Sequence, residues 1–463
     1  MRIAVIGGGI AGVSAAYELA QSGTEFVLYE ASDRLGGIVE TVRRDGFVVE
    51  CGPDSWVTEK PWARELAVEL GLESEIIPSN DSLRRTYIVR GRELVAMPDG
   101  MRMMVPTEWE PLLSSPLFSS QARQAYLREP KRAEELKATI PELDESVASF
   151  VRRHFGDEVT DTVGAPLLAG VFGGNVDQLS VRAVMPAFVK MEREHGSLIT
   201  ALEKSTRGAA NASVFMTLKS GLQTLVDGMV ATFPASSVRR NEQVIKVAKS
   251  GEKWLVFASF EDEFDAVIVA TPADVTRGLL APLDSTFDEL LAMDASSAIV
   301  VALAFTPEIA KSLQIPRGFG FLVPQSSGTD RQNAPQLLAC TFVDQKFSHR
   351  VPEGAALIRA FFGGESAPLL LDSSDDEIVA LAQQQLSSLL GSLPQPSFTV
   401  VRRWPRSLPQ YAVGHMERMK LLEEQVRAFP GLQLIGNAYY GVGLPDLVRQ
   451  GREAVRGMAI PGM

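Results

Sequence analysis

Apolar positions change their period several times along this chain, and the changes mark out its parts. Residues 2–6, Arg-Ile-Ala-Val-Ile, form a short β-branched apolar run, the pattern of a strand buried on both faces. Residues 13–23 switch to helical spacing, with Ala16, Leu19 and Ala20 on one face and Gly23 as the stop. A second strand over residues 26–29 ends on Glu30. Residues 38–42 alternate, and residues 40–49 read as a hairpin turning at Arg44-Asp45-Gly46. A helix is predicted over residues 61–70, closed by Gly71, and a small basic hairpin over residues 83–94. From residue 107 to 205 the spacing is helical: residues 146–155 present Val147, Phe150 and Val151, and residues 182–202 read as one long amphipathic helix. Strand patterns return after Phe215, with residues 238–249 pairing 253–260 and a buried strand at 265–270. Residues 297–400 alternate strands and helices, read as an antiparallel sheet with flanking helices, one of them the acid-capped stretch 374–390. A strand at 431–435 and a helix at 447–458 close the chain.

The 463 residues, 45% hydrophobic and 22% charged, suit a soluble protein of two or three domains with a sizeable core. The longest clear apolar run, residues 298–305, is strand-sized and far short of the roughly 20 residues that span a bilayer. The chain runs straight into a core strand, so no leader is expected. Cys51 and Cys340 are too few for a disulfide framework or a zinc cluster, and the four histidines show no ligand spacing, so no metal is expected. A net charge of -12 argues against nucleic acid as a partner. Together these point to the cytoplasm.

Chemistry enters at the first strand–helix junction. Gly7-Gly8-Gly9-Ile10-Ala11-Gly12 is a G-x-G-x-x-G between strand and helix. Gly7 allows the tight turn, Gly9 lets backbone approach a pyrophosphate, and Gly12 lets the helix pack close to the strand. Glu30, ending the second strand, can accept from the hydroxyls of an adenosine ribose. An ordinary βαβ unit without a ligand is the alternative. A second glycine-rich turn occupies residues 436–446. Helix N-terminal amides at Val442, Gly443 and Leu444 suit an anionic ring edge, and Asn437 can bond hydroxyls. A cofactor site is thus built from both chain ends, with the middle inserted.

Elsewhere the signals are double-edged. Arg90 and Arg92 read as solvated, whereas Arg84 and Arg85, toward the base of the basic hairpin, are better placed to hold an anion. Residues 164–174 mix small and large apolar side chains, which suits a surface against a flat ligand or a helix-packing seam. No Ser-His-Asp set and no obvious general base is visible; Asp54, in the turn 51–56, is the carboxylate to watch, as a base or as an ordering group for its loop.

The stretch 30–37, with Arg34 as a cation for phosphate and Gly36-Gly37 for close approach, resembles the second fingerprint of the FAD-dependent amine oxidase and porphyrinogen oxidase group. Gly52-Pro53-Asp54-Ser55, residues 170–174, Lys190-Met191-Glu192-Arg193-Glu194-His195, Trp404 with Pro409-Gln410-Tyr411 and Gly414-His415, and residues 436–446 resemble the bacterial oxygen-dependent porphyrinogen oxidases over nearly the whole chain. The resemblance implies an α/β (α+β) fold: a Rossmann-like FAD-binding domain of the amine-oxidase type (1–80, 211–275, 404–463), a mixed or antiparallel-sheet substrate domain (81–106, 276–403) and an inserted helical domain (107–210). It implies FAD as cofactor, with Gly7, Gly9, Gly12, Glu30, Arg34, Gly36 and Gly37 at the ADP half, the Val244 backbone at adenine, and Trp404, Gly436, Asn437, Val442, Gly443 and Leu444 at the flavin. Asp54, Gly170 and Phe172 would lie at the porphyrinogen, and Lys60, Arg84 and Arg85 would meet its propionates.

The reaction so implied is six-electron oxidation of coproporphyrinogen III or protoporphyrinogen IX in haem synthesis, with oxygen as acceptor and hydrogen peroxide as by-product. Asp54 and Lys60 look like the coproporphyrinogen-oxidising relatives, residues 190–195 like a protoporphyrinogen-oxidising one. Peripheral contact of the helical domain with the inner face of the cell membrane, a homodimer and hand-over of product to a ferrochelatase belong to the same set of expectations. Competing readings are an amine oxidase, although no cysteine follows the closing motif; a carotenoid desaturase; a nicotinamide-dependent reductase, although no second dinucleotide fingerprint is visible; and a non-catalytic flavin- or porphyrin-binding protein.

Overall fold

In the computed structural model, which describes residues 1–205, 213–325 and 334–458, Arg2–Ile6 is the central strand of a five-stranded sheet. Its order is Val238–Arg239, Glu25–Tyr29, Arg2–Ile6, Ala266–Val269, Leu432–Leu434, and every pairing is parallel. A strand flanked on both sides and covered on both faces has no wet face, which is why its apolar run is unbroken. On one face lies helix Ile10–Gln21, and helix Leu444–Arg456 packs against it so closely that a Cβ on Gly451 would come 2.4 Å from the Ala11 carbonyl oxygen. The two ends of the chain are thereby joined. The opposite face meets the antiparallel strands Lys246–Ser250, Lys253–Phe257 and Glu261–Phe264, with Trp254 fully buried between.

A second, seven-stranded sheet runs Phe398–Pro409, Ala295–Phe305, Ala356–Phe362, Leu337–Phe342, Gly320–Leu322, Thr86–Arg90, Glu93–Ala96, antiparallel except where Gly320–Leu322 joins Thr86–Arg90. One face is covered by helix Asp375–Leu390, which buries Ile378, Ala382, Leu386 and Leu390. Ser374 and Glu377 form a reciprocal capping box at its start, as the acidic cluster after a serine predicts. The other face packs through Ala302, Ala304, Leu357 and Phe398 on Phe47 and Val49 of the hairpin Thr41–Arg44/Phe47–Glu50. Asp45 and Gly46 both take left-handed φ values, +52° and +81°, the conformation a tight two-residue hairpin turn needs. That hairpin leads directly into the 51–56 turn, so the sheet contact places this turn between the two sheets.

Between Trp109 and Ser205 the described residues form helices and no strands. The long helix predicted over residues 182–202 is instead three: Val181–Val184, Pro186–His195 and Leu198–Ser205. Pro186 drives Met185 out of the helical region (φ -131°, ψ 45°), and Gly196 turns the chain again with φ +72°. The strand predicted over 238–249 also divides, because Asn241 at φ +55° sends Val238–Arg239 to the parallel sheet and Lys246–Ser250 to the antiparallel one. Buried His154 bridges Glu129 (2.9 Å) and Glu192 (3.1 Å), and Arg153 reaches Glu192 at 2.6 Å, so the helical stretch carries a paired charge network in its core, with Arg153 Nε buried without a partner among the described residues. Burial disfavours the His154 cation, but the two carboxylates outweigh it and raise its pKa. Among the described residues no helix is long and apolar enough to cross a membrane. The boundary expected at 210/211 lies outside the described residues.

Candidate functional site

The first glycine turn follows strand Arg2–Ile6 directly. Gly7 sits at φ +105°, and a Cβ there would approach the Ala270 carbonyl oxygen to 2.7 Å; a Cβ on Gly12 would lie 2.0 Å from the Gly7 carbonyl oxygen. Those two glycines are required by the protein's own packing. Gly9 is different: it is extended (φ -66°, ψ 173°), and a Cβ there meets nothing within 4 Å. Its missing side chain leaves a space at a helix N-terminus where free N–H groups point outward, the shape a pyrophosphate needs. Gly36, at φ +111°, donates its N–H to the Gly8 carbonyl oxygen at 2.8 Å, and a Cβ on Gly37 would reach to 3.1 Å from the Gly9 Cα. The two fingerprints therefore form one cradle.

Glu30 braces that cradle. Its carboxylate accepts from Gly8 N–H (2.7 Å), Ser32 N–H (2.8 Å) and Ser32 Oγ–H (2.7 Å), which leaves lone pairs for ribose hydroxyls. Val244 is buried in the same neighbourhood, where Glu242 N–H donates to the Glu30 carbonyl oxygen. Arg34 donates to the carbonyl oxygens of Leu35 (3.3 Å), Val39 (3.1 Å) and Gly37, and its guanidinium carbon lies 5.7 Å from the centre of the Trp404 ring. In this structure it braces the Gly36-Gly37 turn.

The second glycine turn is held by side chains. The Tyr411 hydroxyl donates to the Asn437 carbonyl oxygen (2.6 Å) and accepts from Gly441 N–H (2.9 Å). The Tyr411 ring stacks on His415 at 4.0 Å, and the His415 Nε2 lies 2.9 Å from the Tyr439 carbonyl oxygen. Asn437 Nδ2 donates to Ser407, and Gln450 Oε1 accepts from Gly436 N–H at 3.2 Å. Gly436, at φ +135°, has nothing within 4 Å of an added Cβ. The helix after it begins at Leu444, three residues earlier than its apolar spacing predicts, because Gly443 takes the N-cap and Pro445 stands in the first turn. Gly443 and Leu444 thus sit at the helix start, with Val442 just before. Asp446, also in the first turn, pairs with Lys60 at 2.6 Å, so Lys60 already has a carboxylate partner.

The 51–56 turn lies between the sheets. Asp54 accepts from Lys346 Nζ at 2.9 and 3.0 Å and from Ser55 Oγ–H at 2.7 Å, and lies 3.3 Å from Arg359. Burial disfavours the carboxylate, yet Lys346 and Arg359 outweigh it and hold Asp54 well below the usual carboxylate range. A carboxylate so clamped is a weak proton acceptor; what Asp54 does in the structure is order its loop. Arg359 also donates to the Gly52 carbonyl oxygen, and Trp404 Nε1–H to that of Cys51 at 2.7 Å. Burial pushes the Cys51 thiol up to about 11. Lys346 and Arg359 escaped the sequence reading. For Arg359 a signal existed, an arginine inside the apolar run Ala356–Phe362; for Lys346 there was none.

Helix Ala165–Phe172 ends over the seven-stranded sheet, with Gly173 as a left-handed cap at φ +60°. A Cβ on Gly170 would reach Leu322 at an ordinary 3.5 Å, whereas one on Gly174 would overlap Gln410 at 1.7 Å. Phe172 is buried; its carbonyl oxygen accepts from Gln410 Nε2 at 2.7 Å, and its ring lies 6.1 Å from Tyr411. The 170–174 segment is therefore fastened to the stretch that also fastens the second glycine turn. Arg84 and Arg85 are exposed, Arg85 within 3.8 Å of Asp99, and the segment leading to them is tied to the 51–56 cluster by Asn80 N–H on the Lys346 carbonyl oxygen (2.9 Å).

A parallel sheet carrying a double glycine cradle, docked on a broad, mainly antiparallel sheet, is the two-sheet architecture of a Rossmann-like oxidoreductase. The sequence profile of the flavin-containing amine oxidoreductases matches residues 10–459. The chain is 33% identical to the coproporphyrinogen III oxidase of Bacillus subtilis, over 98% of this chain and 97% of that one, and 30% identical to the protoporphyrinogen oxidase of Homo sapiens, over 98% and 97%. A crystal structure from Exiguobacterium, described as a candidate protoporphyrinogen oxidase, superposes with a TM-score of 0.84 at 29% identity, covering 98% of each chain. This chain belongs to the flavin-containing amine oxidoreductase family, among its porphyrinogen oxidases.

Proposed function

We propose that this protein is an FAD-dependent oxidase that converts coproporphyrinogen III to coproporphyrin III, with oxygen as electron acceptor. The observation that carries the cofactor is the empty space over Gly9, bounded by helix N–H groups, by Gly36-Gly37 and by the Glu30 carboxylate. In this reading residues 1–80, 211–275 and 404–463 hold FAD, 81–106 and 276–403 present the substrate, and the helical insert 107–210 covers it. The Gly9 backbone and the Ile10–Gln21 helix amides take the pyrophosphate, with Arg34 beside them and Glu30 on the ribose. Val244 adjoins adenine, Trp404 packs toward the ring, and the amides of Val442 to Leu444 face its anionic edge. Bound flavin supplies a hydride acceptor. The protein's own residues orient the macrocycle: Phe172 and Gly170 wall the slot, the Asp54 loop closes its floor, and Lys60, Arg84 and Arg85 are the cations assigned to its propionates. A homodimer, peripheral membrane contact through the helical insert and hand-over to a ferrochelatase are part of the same reading.

Coproporphyrinogen III carries more propionates than protoporphyrinogen IX, and a charge-assisted bond contributes about 1.5–3 kcal/mol, enough for a tenfold preference from one extra contact. The test compares kcat/KM for the two porphyrinogens in the wild type and in Arg85→Ala. The expected result is yellow protein releasing FAD on acid treatment, a preference for coproporphyrinogen III, and a larger loss on that substrate in the variant. A wild-type preference for protoporphyrinogen IX overturns the substrate; protein that neither holds nor takes up FAD overturns the reading.

A further inference from the structure

Five charged side chains meet where the hairpin Thr41–Arg44/Phe47–Glu50 and the 51–55 loop dock on the seven-stranded sheet. Asp54 pairs with Lys346 and Arg359; Glu50 pairs with Arg350 at 3.2 Å and also accepts from Thr41 Oγ1 (2.7 Å) and Leu222 N–H (2.8 Å). The side chains of Glu50, Arg350 and Arg359 are 2% exposed or less, and those of Asp54 and Lys346 14% and 13%. Three cations thus face two carboxyl groups out of water, and burial pushes the Glu50 carboxyl up in spite of Arg350, so the cluster carries at least one positive charge in excess. The neighbouring Glu40 is already shared by two cations, Arg402 at 2.7 Å and Arg34 at 3.7 Å, and does not cancel it. Arg350 Nη1 and Arg359 Nε are buried with no hydrogen-bond partner among the described protein atoms, so the excess charge is not fully satisfied from within. In so dry a cluster it is weakly screened and acts over several ångströms.

The cluster also grips the loop that packs beside the glycine cradle, where a Cβ on Gly52 would lie 1.9 Å from the carbonyl oxygen of Ile38, just after the Gly36-Gly37 turn. Arg359 holds the Gly52 carbonyl oxygen, Trp404 holds that of Cys51, and Arg34 joins Trp404 to the Gly36-Gly37 turn. We propose that Glu50, Asp54, Lys346, Arg350 and Arg359 form a positioning cluster that sets the 51–55 loop against the isoalloxazine and, through its excess positive charge, raises the reduction potential of the bound flavin. The inference rests on the FAD reading above. Reduction places negative charge on the ring, and a fixed desolvated cation nearby favours that state without moving.

The experiment is spectroelectrochemical titration of the flavin bound to wild type, Asp54→Asn, Lys346→Met and the double variant. Asp54→Asn adds one positive charge and Lys346→Met removes one, so the midpoint is expected to shift positive in the first and negative in the second. The double variant restores the net charge and is expected to return toward wild type. A purely structural role would shift both single variants in one direction or neither, and either result overturns the inference. Should the loop variants fail to hold flavin, Arg359→Met removes a cation from the sheet side while Asp54 keeps its pair with Lys346; a negative shift supports the proposal and an unchanged midpoint overturns it. Wild-type protein without FAD removes the functional reading itself, whereas a flavin-loaded, porphyrinogen-oxidising wild type whose variants keep its midpoint removes only this inference.

Discussion

The two glycine turns lead from strands of the same parallel sheet into helices that pack on each other, yet they are held in different ways. The first is held mainly by backbone packing, Gly7 against Ala270, Gly12 against Gly7 and Gly36 on Gly8, with the Glu30 carboxylate on Gly8 N–H and Arg34 on the Gly37 carbonyl oxygen as its side-chain braces. The second is held by side chains that arrive from elsewhere: Tyr411 on Asn437 and Gly441, Gln450 on Gly436, and Lys60 on the Asp446 carboxylate. A turn locked by sterics tolerates almost no change at its packed glycines, here Gly7 and Gly12, and is little affected by most distant substitutions. A turn locked by donated hydrogen bonds can be loosened in steps from far away. In the proposed reading, the end of the cofactor at the first turn is held rigidly and the end at the second is adjustable.

The largest effect is expected from Gly12→Val. Its Cβ would lie 2.0 Å from the Gly7 carbonyl oxygen, so helix and strand must part. Overpacking of this kind costs about 1–3 kcal/mol or more, and thermal unfolding of the purified variant should begin several degrees lower, with no flavin retained. A wild-type melting curve would show that backbone contact does not lock the first turn. Gly9→Leu separates ligand from fold: nothing lies within 4 Å of its Cβ, so apoprotein stability should stay within about 1 kcal/mol of wild type while FAD is lost. Calorimetry of the two apoproteins, with flavin absorbance after reconstitution, gives both numbers, and a strong destabilisation would mean that the space above Gly9 serves packing.

For the second turn, Tyr411→Phe removes one donor and one acceptor and leaves Gly441 N–H without its partner. A loss of about 1–3 kcal/mol is expected, together with faster FAD release on dilution and an unchanged first turn. Equal FAD dissociation rates in variant and wild type would argue against a hydrogen-bonded ring end. The smallest effect belongs to Lys60→Met. Its pair with Asp446 is half exposed on the lysine side, so its stability contribution is about 0.2–1 kcal/mol. If Lys60 serves the turn, kcat/KM falls by the same factor for both porphyrinogens. If it also reads a propionate, coproporphyrinogen III loses more.

Local requirements were legible in residue order. The Gly7–Gly9–Gly12 spacing, Glu30 at a strand tip, the Asp45-Gly46 hairpin and the Ser374 capping box each concern a few consecutive residues, and spacing alone expresses them. Where the reading slipped, the deciding neighbour was a single residue that periodicity averages away: Pro186 and Gly196 cut one predicted helix into pieces, and Asn241 divided one predicted strand between two sheets. Asp54 was visible as a carboxylate beside a glycine-proline turn. That it is ionised and clamped depends on Lys346, at the end of the short helix Val343–Lys346, and on Arg359, in the strand Ala356–Phe362, which carry no spacing relation to it.

By itself, then, residue order determined the backbone chemistry of this protein: which junction can approach a phosphate, and which strand is buried on both faces. Glycine conformations and hydrophobic periods are short-range properties, set by sterics within a few peptide units. Only the tertiary structure decided the charges. Lys60 came to face Asp446, three cations converged on Glu50 and Asp54, and Tyr411 reached the second glycine turn, because sheet register and helix packing bring remote side chains within hydrogen-bond distance. Burial then settles their ionisation, since a desolvated charge persists only beside a partner and the partner is chosen by the fold.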